Sequence, residues 1–251
     1  MANWCSNCIA IYATSDKGES ELKKLYMKIK GIGTECHSVP KEAMEYEETR
    51  KDSDGKEKKI IEKVEYDWYG MLLLAHGLRI EDISDARGSM LNVPTWCNAP
   101  QNHIYLQTET AWDPKEHIID EMLSIYDDLA YVYVAEETGM EIFINTDEAG
   151  MFFPERYYVE WDICGWGGDS ERPCSLTELI DVMREIVENL ISECPEYKSD
   201  LLKKIEDGEK ITEEDVLKER DNIDDFLNNP DNPDEPAYVY EYFGIKRYES
   251  C

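Results

Sequence analysis

With 251 residues, 42% of them hydrophobic and 11% aromatic, the chain carries enough apolar material for a sizeable core, which excludes the acidic disordered class. Its 56 acidic side chains outweigh 26 basic ones, and the resulting formal charge of −30 repels nucleic-acid backbones at long range. Direct nucleic-acid binding is therefore not expected, whereas a basic protein surface would be attracted.

No run of eighteen apolar residues occurs, and Met1-Ala2-Asn3-Trp4 lacks the basic and apolar regions of a secretory signal. The expectation is a cytoplasmic chain with no membrane contact. Eight cysteines, at positions 5, 8, 36, 97, 164, 174, 194 and 251, are scattered too thinly for a disulfide scaffold and read as reduced thiols.

In chain order, Cys8 to Tyr12 reads as a first strand, rich in branched and aromatic residues, followed by a turn at Asp16-Lys17-Gly18. Leu22, Leu25, Met27 and Ile29 then form the apolar face of a helix that should stop at Gly31 and Gly33. Lys41 to Lys63 is almost wholly charged around Asp52-Ser53-Asp54-Gly55, the mark of an exposed hairpin or loop. The apolar block Tyr66 to Leu78 leans to a buried helix.

Ile104 to Thr110 alternates as a strand, and Asp113-Pro114 opens a helix with proline in its first turn. Ile118, Met122 and Ile125 make one apolar row of that helix, with Ile119, Leu123 and Tyr126 beside it. Tyr131 to Ala135, Glu141 to Ile144 and Tyr157 to Ile163 supply three further strands. Ser175-Leu176-Thr177-Glu178 is a capping box, in which serine and glutamate each satisfy an orphan backbone donor, ahead of an apolar face from Leu179 to Ile191. A shorter helix should start near Thr212, and Tyr238 to Phe243 should be a terminal strand. Between Glu206 and Pro236 thirteen acids face three bases, so this tail is the most acidic part of the chain.

The expected architecture is α+β, with an antiparallel split βαβ core over residues 1–165, a charged insertion at 41–63, and an acidic helical extension at 166–251 ending in a strand. Asn3-Trp4-Cys5-Ser6-Asn7, Trp68-Tyr69, Thr110-Ala111-Trp112-Asp113-Pro114 and Glu137-Thr138-Gly139-Met140 resemble motifs of the YubB-type ferredoxin-like domain proteins of bacterial plasmids and phages. The resemblance covers roughly residues 1 to 165. It implies a ferredoxin-like topology, without an iron–sulfur cluster, and a mobile-element origin, which in turn implies action on host processes including defence. In that family an Asn-Trp-Gly-Thr-Lys-Trp-Asp stretch precedes the central strand. The counterpart here, Asn92 to Asn98, keeps the asparagine and threonine, displaces the second tryptophan, and lacks the glycine and lysine.

Cys5-Ser6-Asn7-Cys8 has the spacing of a zinc knuckle or redox pair, but no second knuckle completes four ligands and the motif leads into a strand, not a helix N-terminus. Structural thiols are the expectation, with Cys164 and Cys174 the only cysteines proposed to join them in space. Cys36-His37 is a poor nucleophile–base pair because adjacent residues seldom direct their side chains together. Asp52 to Gly55 and Asn145 to Gly150 each hold part of a calcium-loop pattern without completing it, and read as turns. The chain holds no GxSxG, P-loop, HExxH or Rossmann fingerprint, so no metal or cofactor is expected.

Aromatic rings beside arginines can stack a base and grip a phosphate, and Trp96, Trp161 and Trp166 with Arg87 and Arg156 are the expected ligand-binding set. The leading reading is a non-catalytic, counter-defence protein that sequesters a small nucleotide-type ligand, with self-association possible. The alternative is an acidic inhibitor or DNA mimic acting on a basic host protein through Glu206 to Glu235. An enzyme acting on nucleotides is the third reading.

Overall fold

An alternating strand near the N-terminus organises the first of two units into which the chain divides, Met1–Asp147 and Glu148–Cys251. The computed structural model describes residues 3–35, 45–51, 56–63, 72, 76–77, 88–163, 169–228 and 242–249. In the first unit the elements run β1 (Trp4–Ala13), α1 (Asp16–Glu35), β2 (Glu45–Lys51), β3 (Glu57–Lys63), β4 (Gly88–Met90), β5 (Thr95–Cys97), β6 (His103–Ala111), α2 (Glu116–Leu123), β7 (Leu129–Glu137) and β8 (Ile142–Asn145). β1 pairs antiparallel with β6 on one side and β7 on the other. β4 and β5 extend the sheet beyond β6, and β8 extends it beyond β7. β6 and β7, joined through α2, therefore run parallel to each other with β1 between them.

Because strand side chains alternate, Cys5, Asn7, Ile9 and Ile11 of β1 share one buried face. The apolar rows of α1 (Leu22, Leu25, Ile29, Ile32) and α2 (Ile118, Ile119, Met122, Leu123) belong to the same core cluster. Each such side chain contributes about 1.5–3 kcal/mol on burial, so this layer carries the unit's stability. Leu72, from the apolar block expected to be a helix, lies in this core; apart from His76 and Gly77 the rest of that block lies outside the described residues. β2 and β3 pair as the hairpin expected in the charged insertion.

Several local expectations are corrected. Asp16-Lys17-Gly18 is the first turn of α1 and not a preceding loop, and the helix runs through Gly31 and Gly33 to Glu35. Met27 is 65% exposed, since five residues past Leu22 is a rotation of about 140° away from that residue. Gly18 allows the helix start to lie against the turn before β7: a Cβ there would sit 2.3 Å from the Asp128 carbonyl oxygen. Pro114 precedes α2 instead of opening it. The cap is Lys115, in a left-handed conformation at φ 56°, and Ile125 lies past the helix end, half exposed.

The second unit holds β9 (Tyr157–Asp162), β10 (Asp169–Glu171), α3 (Leu176–Glu193), α4 (Asp200–Glu206), α5 (Glu213–Leu227) and β11 (Tyr242–Arg247). β9 is the centre of a three-stranded antiparallel sheet, between β10 and β11. The strand expected to extend the first sheet thus belongs to the second unit, and the break falls after Asp147 instead of after residue 165. Tyr157 and Val159 pack with Leu179, Met183, Ile186, Val187 and Leu190 of α3 in a core of their own. The Ser175 hydroxyl accepts the Glu178 N–H at 3.3 Å as predicted, but the Glu178 carboxylate reaches back to the Cys174 N–H, one residue beyond the serine. The complete capping box is at Thr212 and Asp215. Of the expected terminal strand Tyr238 to Phe243, residues 238–241 lie outside the described residues, and Tyr242 and Phe243 open β11.

Candidate functional site

The residues singled out from sequence are divided between the units. Trp96 lies on β5, opposite Ile104, and its ring meets Tyr26 edge-on at a centroid distance of 5.7 Å. It packs against the first core, and its indole N–H donates to Asn98 Oδ1 at 3.0 Å. Trp161 lies on β9 and packs against the second core. Arg156 precedes β9, and its guanidinium donates to the carbonyls of Phe153 (3.0 Å), Glu155 (2.8 Å) and Glu148 (3.3 Å), which fixes a loop and occupies the donors a phosphate would need. Trp166 and Arg87 lie outside the described residues, as do Cys36 and His37. An arginine–aromatic pair does form at Arg172, whose guanidinium lies 5.2 Å from the Tyr158 ring centre. That ring is buried, so the arginine covers the face a base would stack on.

The cysteine pair is settled by strand geometry. Cys5 faces the helices and is fully buried, whereas Cys8, three residues on, faces the opposite side of the sheet, where the Tyr105 hydroxyl lies 3.1 Å from its sulfur. The two thiols cannot ligate one ion or close a disulfide. Burial, reinforced by Asp113 and Glu137, pushes the Cys5 thiol up to about 12, so it remains protonated and inert at neutral pH. Among the described residues no group of three or more His, Cys, Asp or Glu is arranged to hold a metal. No described helix is long and apolar enough to cross a membrane.

What the fold does assemble is one end of the first sheet, where three widely separated motifs meet. The Trp112 N–H donates to the Asn3 carbonyl at 2.9 Å, joining Asn3-Trp4-Cys5-Ser6-Asn7 to Thr110-Ala111-Trp112-Asp113-Pro114. Gly139 of Glu137-Thr138-Gly139-Met140 is the third party: a Cβ there would meet the Asn3 side-chain nitrogen at 2.9 Å and the Glu137 carboxylate at 3.0 Å, so the two segments lie against each other through side-chain ends. The Glu137 carboxylate caps the short turn after β7 by accepting the N–H groups of Gly139 and Met140. Beneath them lies a buried polar network. The Asn7 amide donates to Thr110 Oγ1 at 2.9 Å, to Thr108 Oγ1 at 3.3 Å and to the Cys5 carbonyl at 3.2 Å. The Thr110 hydroxyl then donates to the Asp113 carbonyl at 2.6 Å, and Asp113 holds both the backbone N–H and the ammonium of buried Lys115.

On top of this network stand two exposed indoles. Trp4, opposite Ala111, is 46% exposed and Trp112 is 45% exposed. Trp112 holds φ 75°, a left-handed conformation that costs a residue with a Cβ about 1–2 kcal/mol. Two residues along β1 from Trp4, exposed Ser6 is flanked by Glu109 on β6 and Glu136 on β7. Period two places Trp4, Ser6 and both glutamates on the face away from the helices.

In the second unit, α4 and α5 enclose a charged cleft of about 300 Å³ whose lining includes Asp200, Lys203, Lys204, Asp215, Lys218 and Glu219. Two of its lysines meet carboxylates: Lys204 reaches Asp215 at 2.6 Å and Lys218 reaches Asp200 at 3.4 Å. Glu219, 1% exposed, accepts the Tyr197 hydroxyl at 3.0 Å and the Leu201 N–H at 3.3 Å. Burial, and then this carboxylate, holds the Tyr197 hydroxyl far above its usual pKa.

The sheet end was missed as a site because its residues carry no catalytic motif. The available signals were the polar alternation of Ser6 and Glu109 opposite core positions, and an aromatic placed in the turn after a strand. Comparison with protein-family models, curated proteins and solved structures finds no match for this chain.

Proposed function

We propose that this chain is a non-catalytic binding protein that captures a basic partner surface. The observation that carries this reading is the charge layout of the second unit. Residues 148–251 hold 28 acidic and 11 basic side chains, and the faces of α3 and α5 turned from the core expose Asp181, Glu185 and Glu188, and Glu214, Asp221, Asp224 and Asp225. Four of the cations nearby already sit on carboxylates, in the pairs Arg184–Asp181, Lys204–Asp215, Lys218–Asp200 and Arg220–Asp221. A field of this sign steers a basic partner and sets its on-rate, while repelling nucleic acid. A small nucleotide as ligand has less support, since Arg156 spends its donors on carbonyls and Trp96 packs against the core.

The lineage reading belongs with this proposal. The strand order β4-β6-β1-β7, with α2 joining the strands on either side of β1, supports a ferredoxin-like core, and the three motif segments gathered at one sheet end support kinship with the YubB-type proteins. On that reading the protein is of phage or plasmid origin and disables a host factor in the bacterial cytoplasm by occupying its basic surface.

The test is a pull-down from bacterial lysate with the tagged full chain at about 50 mM and about 500 mM salt, on either side of strong screening. A basic protein retained at low salt and released at high salt is the expected result. No retained protein, or a partner with an acidic surface, overturns the reading.

A further inference from the structure

The first helix breaks the charge pattern of the rest of the chain. From Leu22 to Thr34 it carries Lys23, Lys24, Lys28 and Lys30 and no acid, in a protein with 56 acidic against 26 basic side chains. At 3.6 residues per turn, Lys23, Met27 and Lys30 fall within about 60° of one another around α1, and Lys24 lies about 60° beyond Met27. All four are exposed, Met27 by 65%. Lys17, at the helix start, is held by Glu21 and Asp128, whereas no described carboxylate forms an ion pair with Lys23, Lys24 or Lys28. Burial lowers the pKa of Lys28 from its ordinary value, with no described carboxylate opposing the shift. This face is therefore a patch of uncompensated positive charge with an apolar side chain in its middle.

The complementary surface is on α3. Asp181, Glu185 and Glu188 repeat the i, i+4, i+7 spacing of Lys23, Met27 and Lys30, and all three are exposed. Arg184 is bonded to Asp181 at 2.5 Å, but no described cation forms an ion pair with Glu185 or Glu188. We infer that the lysine face of α1 docks on the acidic face of α3 in a second copy of this chain, so that the protein associates with itself through two unlike surfaces. Charge complementarity over matched rows selects this occupant, since both rows run over the same two turns, about 10 Å of helix. A long polyanion laid on α1 would also run along the acidic remainder of the molecule, whereas a helix of matched spacing meets the lysine face alone. Met27 gives the contact an apolar centre inside a charged rim, the arrangement of specific interfaces. The net charges of two copies repel at long range, but at about 150 mM salt that repulsion is screened beyond about 8 Å while groups in contact are screened far less. Because the two surfaces differ, the contact is heterologous.

This inference goes beyond the basic-partner reading and does not depend on it, although the α3 carboxylates belong to the surface proposed to receive that partner. The test is sedimentation velocity on the purified full chain at about 150 mM salt, from about 10 μM to about 1 mM, because contacts built on exposed ion pairs are weak. The mean mass should rise with concentration and return to that of one chain at about 1 M salt. Two charge-reversed variants then locate the contact. Lys23→Glu/Lys24→Glu and Glu185→Lys/Glu188→Lys alter exposed positions only, and each alone should remain monomeric throughout, since like charges then face each other. An equal mixture of the two should associate again, because the acidic α1 of one variant meets the basic α3 of the other. Where either variant fails to fold, a carbodiimide that joins an amine to a carboxylate decides on a mixture of isotope-labelled and unlabelled unaltered chains. Mixed-isotope peptides should link Lys23 or Lys24 to Glu185 or Glu188. A monomer at every concentration, association that both variants retain, a mixture that stays monomeric, or cross-links that avoid these residues overturns the inference. None of these results touches the pull-down from lysate, so the basic-partner reading stands or falls separately.

Discussion

Gly18→Ala sets two effects against each other, and their sizes decide the outcome. Alanine is the better helix former by about 1 kcal/mol, and Gly18 lies within α1, so propensity alone predicts a more stable protein. The new Cβ, however, would lie 2.3 Å from the Asp128 carbonyl oxygen and 3.1 Å from both Ala13 Cβ and Asp128 Cβ. An ordinary contact begins near 3.4 Å, so the helix start must retreat by about 1 Å from the turn before β7. The oxygen in the way is not free to yield, because it accepts the Thr14 N–H at 2.9 Å at the end of β1. Overpacking of this kind costs about 1–3 kcal/mol, and losing the Thr14 bond adds about 1 kcal/mol. After subtraction of the propensity gain, a net destabilisation of about 1–3 kcal/mol is expected. Urea unfolding should show it as a lower midpoint at unchanged slope, and hydrogen exchange should place the loss at Thr14 and the first turns of α1. An unchanged or raised midpoint would refute the steric reasoning and show that propensity dominates.

Two further outcomes follow from the buried and capping groups. With its thiol near 12, Cys5 holds about one thiolate in ten thousand at pH 8, so iodoacetamide should label Cys8 in the native protein and leave Cys5 intact, as read by peptide mass mapping; equal labelling would count against the assigned facing of β1. Asp215 is held well below the usual carboxylate range by Lys204, and then by the Thr212 hydroxyl and N–H, so its contribution to the start of α5 is present above the unfolded value near 3.9 and is lost as pH falls through the lower folded value. A carboxyl-carbon titration by NMR should find Asp215 still ionised at pH 3, and a midpoint of 4 would contradict that capping geometry.

Legibility from sequence followed the strength of the local physics. β6 was readable because apolar and polar residues alternate along it, β1 and β7 because branched and aromatic residues crowd into short runs, and α3 because Ser175 precedes a clean apolar period. The three-residue strands β4, β5 and β10 were invisible: Gly88-Ser89-Met90 and Asp169-Ser170-Glu171 hold no alternation that a loop could not show, and they are strands only because β6 and β9 offer edges to pair with. The short helix α4 depends on Ser199 and on its packing next to α5, and α1 passes through two glycines because its buried row continues to Ile32. The expected ligand residues were chosen for chemistry and proximity to loops, but side-chain employment is a tertiary property. Arg156 was promising until three carbonyls turned out to hold it, and Trp112, which was not among the expected ligand residues, is 45% exposed.

The central position of β1 also has a consequence for the order in which the protein can be made. This strand precedes both of its neighbours in the chain, yet it ends up between two strands that are synthesised much later, with Trp4 paired to Ala111 and Ser6 to Glu136. Closing a loop of about a hundred residues costs about 4 kcal/mol of chain entropy before any pairing is gained. The nascent chain therefore carries an apolar strand with two unsatisfied edges until β7 has followed it out, and only then can the sheet close on both sides of it. Translation speed across the charged hairpin and the β6–α2–β7 stretch thus sets how long the Ile9 and Ile11 segment remains open to chaperones or to the wrong partner, a vulnerability written into strand order and not into any single contact.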